Sequence, residues 1–440
     1  MRKLLILILV LCLCGSVAAA ETAAEGKILE LPEGVNYVSL DRDSGRLIVE
    51  DGEKDVCWLA DTDLNRLSGD YLHISGARHG FFEFETEDKF LTGNGLMDAD
   101  GNVIVPADYA DVESFGGKWA AGILVKLATK DDYDYTSYGS GTSYFIIVSV
   151  DFYYAGEKVG TLSREDWAYA EAYGDYLMVR TRSGKTNWYS PDFVKAESKS
   201  SFEYEDDSEK GVVIHSGSGR TAFSPDCTLT EAEVGDSIRI NPDMQLVDLK
   251  GNVLADFSSY SSASLDGYTG LILLYGEDGK NGIADRAGNV LVPAVYEYLW
   301  PSENSVLTGY VRAIKDGKEG FVSLATGAGT GFTYDAYSGN SNDLFFWKDD
   351  PDNGGVLLVC PGTGELPERF ETVDDYEPYM LVKQADGTIR LLDVNGADVL
   401  PADADLSGYI SVSGDGSVIL LQNYNDETYE STYTIFTVGR

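Results

Sequence analysis

The chain has 440 residues, with 33 Lys and Arg against 73 Asp and Glu, a formal charge of −40. That charge repels nucleic-acid phosphate and anionic membrane surfaces, and three His are too few to expect a His-based metal or acid–base site. A hydrophobic fraction of 43 % with 12 % aromatics is too high for a disordered acidic chain, so the sequence describes a folded protein rich in Tyr (28) and Gly (48).

The first 20 residues read as a secretory signal. Arg2 and Lys3 precede an apolar run over 4–13, and Ala18-Ala19-Ala20 supplies the small residues a signal peptidase cleaves behind. The run is too short for a flanked spanning helix, and no later segment is long and apolar enough to span a bilayer. The expected order is a signal peptide at 1–20, a linker at 21–35 and a β-repeat domain at 36–440, with a possible subdivision near 235. Cleavage removes Cys12 and Cys14. It leaves Cys57, Cys227 and Cys360, an odd and widely spaced set that reads as buried apolar side chains rather than a disulfide framework.

Self-comparison then exposes a repeat. Residues 95–109 read GLMDADGNVIVPADY and residues 282–296 read GIADRAGNVLVPAVY. Weaker copies lie at 245–254, 320–327, 364–370 and 390–401, and Gly251, Gly288, Gly327, Gly364 and Gly396 recur every 32 to 39 residues. Two further copies resemble each other, NWYSPDFVKAE at 187–197 and TAFSPDCTLTEAE at 221–233, and degenerate members are SLDRDSGRLIV at 39–49 and CWLADTDLNRL at 57–67. Asp98, Asp248, Asp285 and Asp393 recur at the turn, where an Asp carboxylate accepts backbone N–H bonds and Gly101 or its equivalent supplies a positive φ. A β-branched run follows, and Pro106 and Pro293 are expected to end it because proline has no ladder donor. Tyr109, Tyr296 and Phe370 are expected to pack on the next unit. Recurrence gives these residues a structural role, since an active site occurs once and a fold device many times.

Two longer hairpins, at 122–151 and 417–438, break the rhythm with acidic, Tyr-rich tips that should project. The last strand should pair near residues 36–49 and close a ring, hiding the sheet edges. With units of about 37 residues the fold class is all-β, a repeat of short antiparallel hairpins in a propeller-like array, with an open β-solenoid as the alternative.

The unit resembles the WG-repeat family, whose hairpin reads roughly G-x-W/K-G-Φ-I-D-x-x-G-x-x-V-I-P-x-x-Y-D, with Φ apolar. Asn94-Gly95-Leu96-Met97-Asp98, Gly101, Pro106 and Tyr109 match it, as do Asn281-Gly282-Ile283-Ala284-Asp285, Gly288, Pro293 and Tyr296. Asn-Gly stands where the family has Trp-Gly. The resemblance implies repeated β-units in secreted or cell-envelope proteins and carries no catalytic residue.

Function is less legible. No G-x-S-x-G, H-E-x-x-H or P-loop occurs. No cofactor is expected, with Asp349, Asp350 and Asp352 before Gly354 as a weak Ca²⁺ candidate. Tyr133, Tyr135, Tyr138, Tyr424, Tyr429 and Tyr433 on the two long hairpins form a candidate contact surface, because Tyr gives large contact area at low entropic cost. The reading is a secreted, non-enzymatic interaction protein for a protein or glycan partner. The alternative is a glycan-active hydrolase or lyase on the same scaffold.

Overall fold

The computed structural model describes residues 26–87, 91–127, 145–173, 175–196, 212–215, 221–224, 238–248, 252–266 and 269–439. They form eleven antiparallel sheets, numbered here in chain order. Sheets 1 to 5 span 35–60, 73–109, 111–163, 169–196 and 212–224. Sheets 6 to 10 span 238–256, 262–296, 298–335, 340–365 and 372–392, and sheet 11 spans 409–437. Within each sheet the strands neighbour one another in chain order, with one exception: Gly26–Ile28 pairs with Glu430–Thr437 at the far end of the chain. One short α-helix is described, Glu303–Thr308, and no described helix is long and apolar enough to cross a membrane.

The turn drives each unit. Asp98 Oδ1 accepts the N–H groups of Asp100 and Asn102, both at 2.9 Å, and Gly101 sits at φ 80°. Asp285 does the same for Ala287 and Asn289 at 2.9 and 2.8 Å, with Gly288 at φ 86°. Asp393 bonds Asn395 and Ala397, both at 2.8 Å, with Gly396 at φ 76°. The Asp248 side chain and Gly251 lie outside the described residues.

A second constraint acts at the turn glycine. A methyl group on Gly101 would overlap the Leu67 carbonyl, and one on Gly288 would overlap Ala255, each on the preceding unit. Left-handed backbone and close approach to the neighbour therefore meet at one atom.

Pro106 and Pro293 do not end their strands. Val103–Tyr109 and Val290–Tyr296 run through them. Each proline sits where the register shifts, between the pairs Leu96↔Val105 and Asn94↔Tyr109, or Ile283↔Val292 and Asn281↔Tyr296. The extra residues of this bulge remove the need for a ladder donor. Gly95 and Gly282 lie opposite the bulge, where a Cβ would come within 2.7 Å of Val105 O or 2.8 Å of Val292 O. The preceding Asn closes it: Asn94 Nδ2 donates to Ala110 O at 2.7 Å and Asn281 Nδ2 to Glu297 O at 2.8 Å. The Asn-Gly pair thus has its own structural use.

Burial between sheets holds the array. Leu47 and Val49 face sheet 11, while Ile48 faces sheet 2, the alternation of a strand covered on both sides. Tyr109 packs on Ala120 and Tyr153 of sheet 3, Tyr296 on Val311 and Val322 of sheet 8, and Phe370 on Met380 and Leu392 of sheet 10. From sheet 6 to sheet 11, then on through sheet 1 to sheet 4, every sheet shares a core cluster with the next. Each large side chain buried there contributes about 1.5–3 kcal/mol. The contact of sheet 11 with sheet 1 brings the two ends of the array together, which is propeller-like and unlike an open solenoid. The proposed subdivision near 235 falls outside the described residues.

Closure differs from the expected pairing with residues 36–49. Gly26, Lys27 and Ile28 pair with Phe436, Ile435 and Thr434, and Leu29 N donates to Tyr433 O at 2.9 Å. Residues 26–28 are therefore a strand rather than part of a linker. Leu29 is buried between sheets 11 and 1, which anchors this segment. Val35–Leu40 instead begins sheet 1. Cys57 and Cys360 are free and buried, and burial pushes their thiols up to about 11 and 12. Cys227 lies outside the described residues.

A chain that begins at residue 30 loses this edge strand and the Leu29 anchor. Its stability should fall by about 3 kcal/mol, from a few ladder bonds and one buried Leu, and its open edge should promote self-association. Thermal melting and light scattering read both effects; an unchanged midpoint would assign closure to other contacts.

Candidate functional site

Structure sorts the sequence-selected residues into three groups. The turn residues are structural, as described. Tyr109 also anchors a buried polar network: its hydroxyl donates to Asp151 Oδ2 at 2.9 Å and lies 2.7 Å from the Tyr153 hydroxyl. Asp151 further accepts from Lys158 Nζ and Thr161 Oγ1, both at 2.5 Å. Burial and these acceptors push the Tyr109 phenol far up. Burial alone would raise Asp151, but the bonds from Lys158, Thr161 and Tyr109 outweigh it and hold the carboxyl below its ordinary range. Every partner is satisfied, so the network locks sheet 2 to sheet 3.

The calcium candidates form a different structure. Asp350 is buried, accepts the N–H groups of Asp352 and Asn353 at 3.2 Å, and takes Arg369 Nε at 2.6 Å. Asn353 and Arg369 hold its carboxyl down to about 2. Asp349 and Asp352 are exposed beside it. This is a turn sealed by an arginine, because the guanidinium occupies the place a cation would take. Among the described residues no group of three or more His, Cys, Asp or Glu could hold a metal ion.

Of the tip tyrosines, Tyr133, Tyr135 and Tyr138 lie outside the described residues. Tyr424 and Tyr429 are 55 % and 78 % exposed on the hairpin of Val418–Asn425 and Glu430–Thr437. Tyr433 is corrected: it is fully buried with Val38, Val49 and Trp58, since the strand face that carries it is the one pressed onto sheet 1.

A concave site appears where the ends of the array meet. The first strands of sheets 1, 10 and 11 (Val35–Leu40, Thr372–Tyr376, Tyr409–Val412) border a cavity of about 420 Å³. Arg42, Asp375, Tyr376, Glu377, Tyr409 and Ser411 give it its chemistry. A smaller hollow of about 120 Å³ shares Leu40, Tyr409 and Ser411 and adds Tyr37 and Gln422. Tyr409 is 66 % exposed and Tyr37 39 %. Glu377 is fixed from across the array, where Asn304 Nδ2 in the helix of sheet 8 donates to its Oε2 at 2.7 Å. Burial pushes the Glu377 carboxyl up, and Asp375 and Asp343 add to the push. The site thus offers a cation, two carboxylates, hydroxyls and open aromatic faces. That set accepts and donates hydrogen bonds to a polar ligand and stacks on its apolar parts.

With this geometry in hand, comparison with known proteins places part of the chain. Residues 95–121 match the family described as WG containing repeat. This segment is similar to a WG repeat. It begins at the Gly95 of the bulge, includes the Asp98–Gly101 turn and the Tyr109 anchor, and ends inside strand Trp119–Leu127. The matched segment is one copy of the unit described above, with Asn94 standing where the family has Trp.

No curated protein matches the sequence. Among solved structures, a eukaryotic initiation factor aligns at 12 % identity and TM-score 0.33, over 84 % of this chain and 88 % of that one. BamB from Moraxella catarrhalis aligns at 13 % and 0.21, over 94 % and 97 %. Virginiamycin B lyase from Staphylococcus aureus aligns at 11 % and 0.20, over 94 % and 100 %. At these values the likeness bears on no ligand or activity.

Sequence reasoning missed Arg42, Asp375, Glu377 and Tyr409, because none lies in the repeat motif and strands far apart in the chain bring them together. The one available signal was the pairing of chain ends that ring closure demands. Glu377 gives a pH test. The folded state holds its proton more tightly than the unfolded chain does, so ionisation costs stability as pH rises from the ordinary value of 4.5 through the raised one. Glu377→Gln should melt above the wild type at pH 7, and the two should converge below about pH 4.5. A difference that ignores pH would contradict this.

Proposed function

We propose that the protein is exported and acts as a non-enzymatic binding protein for a protein or glycan partner outside the cell. The observation that carries the reading is the cavity between sheets 1, 10 and 11, which Arg42, Asp375, Glu377 and the exposed Tyr409 line together. Such a mixture recognises a polar partner without committing to one charge. The signal-like N-terminus and the charge of −40 support an extracellular, well-solvated protein. Exposed Tyr424 and Tyr429 offer further contact area.

A second reading, a glycan hydrolase, draws on Asp375 and the raised Glu377 in that cavity, since such enzymes use two carboxylates with separated proton affinities. The binding reading expects oligosaccharides to survive incubation with unchanged length.

The test uses residues 21–440 against a glycan array and against immobilised cell-surface protein. The double variant Arg42→Gln, Tyr409→Ala should lose about ten-fold or more in affinity for whatever the wild type holds, with an unchanged melting midpoint. Full retention would move the site elsewhere, and product formation from an oligosaccharide would favour the hydrolase.

A further inference from the structure

The cavity at the meeting of the array's ends carries opposite charges on its two flanks. Sheet 11 shares one core cluster with sheet 10 and another with sheet 1, so it stands between them. Arg42 borders the cavity from the sheet 1 side, and Asp375 and Glu377 border it from the sheet 10 side. Between these charges runs Tyr409–Val412, the first strand of sheet 11. It is the last strand in the order of its sheet, so one of its edges has no partner strand. Such an edge presents unpaired backbone N–H and C=O groups.

The charges are available to a ligand. Arg46, Arg66, Arg312, Arg369 and Arg390 each meet a carboxylate. Arg42 is exposed and forms no ion pair among the described residues. In a chain with 73 carboxylates, its guanidinium stands beside a cavity with its donors open. On the opposite flank, Asp375 Oδ1 accepts Glu377 N at 3.1 Å, which leaves Oδ2 for a ligand. Asn304 Nδ2 donates to Glu377 Oε2 at 2.7 Å and fixes that side chain. Tyr409, exposed, lies on the strand between the two flanks.

We propose that this cavity binds a short peptide with free termini. The peptide carboxylate pairs with Arg42, its ammonium group meets Asp375 and Glu377, and its backbone adds to the open edge of Tyr409–Val412. Tyr409 offers an apolar face to a side chain in the middle of the peptide. The cavity of about 420 Å³ suits a ligand of a few residues. An extended tripeptide spans about 10 Å. A neutral sugar uses neither charge, a polyanion meets the two carboxylates, and a polycation meets Arg42.

This inference rests on the binding reading and names the ligand of its cavity. Residues 21–440 are titrated by calorimetry with alanyl-phenylalanyl-alanine and alanyl-leucyl-alanine, each also as its C-terminal amide and as its N-acetyl form. At least one free tripeptide should bind. Amidation and acetylation should each weaken that binding by about ten-fold or more. Arg42→Gln should keep the melting midpoint and bind the free and amidated forms alike, because amidation then removes a group whose partner is already gone. Equal binding of free and amidated tripeptide by the wild type overturns the assignment, and so does an amidation loss that persists in Arg42→Gln. If neither tripeptide binds but a glycan or an immobilised protein is still held through Arg42 and Tyr409, the peptide inference falls and the binding reading stands. If every assay is silent, both fall.

Discussion

One local constraint organises the protein: a left-handed residue three places after a side-chain acceptor, pressed against the preceding unit at Gly101, Gly288 and Gly396. The acceptor takes the N–H four residues on, and the residue before that N–H adopts a positive φ. The geometry recurs with acceptors Asp61, Asp98, Thr181, Ser190, Asn241, Asp285 and Asp393, at 2.8 to 3.2 Å. Because it fixes the hairpin register, it also decides which side chains face which neighbouring sheet. Close packing between sheets follows from the turn.

The same constraint explains how far the repeat could be read. Where Gly holds the left-handed place, as at Gly101 and Gly288, the unit was plain in the sequence. Leu64, Phe193 and Met244 adopt it at φ 64°, 57° and 62° without being glycine. The sequence shows those units only as weaker, further or degenerate copies because a residue type has changed while the backbone has not. The acceptor varies as well, since Thr181 and Ser190 use a hydroxyl and Asn241 an amide for the task of Asp98. Proline misled for the opposite reason. Pro106 signals a strand end locally, but a bulge lets the strand pass through it.

The site was hardly legible. The Arg42 cavity exists only because the first and last sheets meet, and the segment that completes the last sheet, Gly26–Ile28, has no motif to announce it. Tyr433 and Tyr409 make the point in opposite directions. Both are tyrosines of the last sheet, yet Tyr433 faces the neighbouring sheet and is buried, while Tyr409 borders the cavity and is open. Composition cannot separate them; strand register does. The acidic excess likewise divides between turn acceptors such as Asp285 and the few carboxylates, Asp375 and Glu377, that face a cavity.

Two glycines test the central constraint most directly. Gly288 and Gly279 are both left-handed, at φ 86° and 77°, but only Gly288 touches the preceding unit, at Ala255; nothing lies within 4 Å of a Cβ on Gly279. Chemical denaturation of Gly279→Ala and Gly288→Ala separates backbone strain from inter-unit packing. The account predicts a loss of about 1 kcal/mol for Gly279→Ala, from the left-handed backbone alone. For Gly288→Ala it predicts that loss plus about 1–3 kcal/mol of overpacking. Equal losses would contradict the account, because the turn would then shape only its own hairpin and leave the neighbouring sheet to be placed by something else.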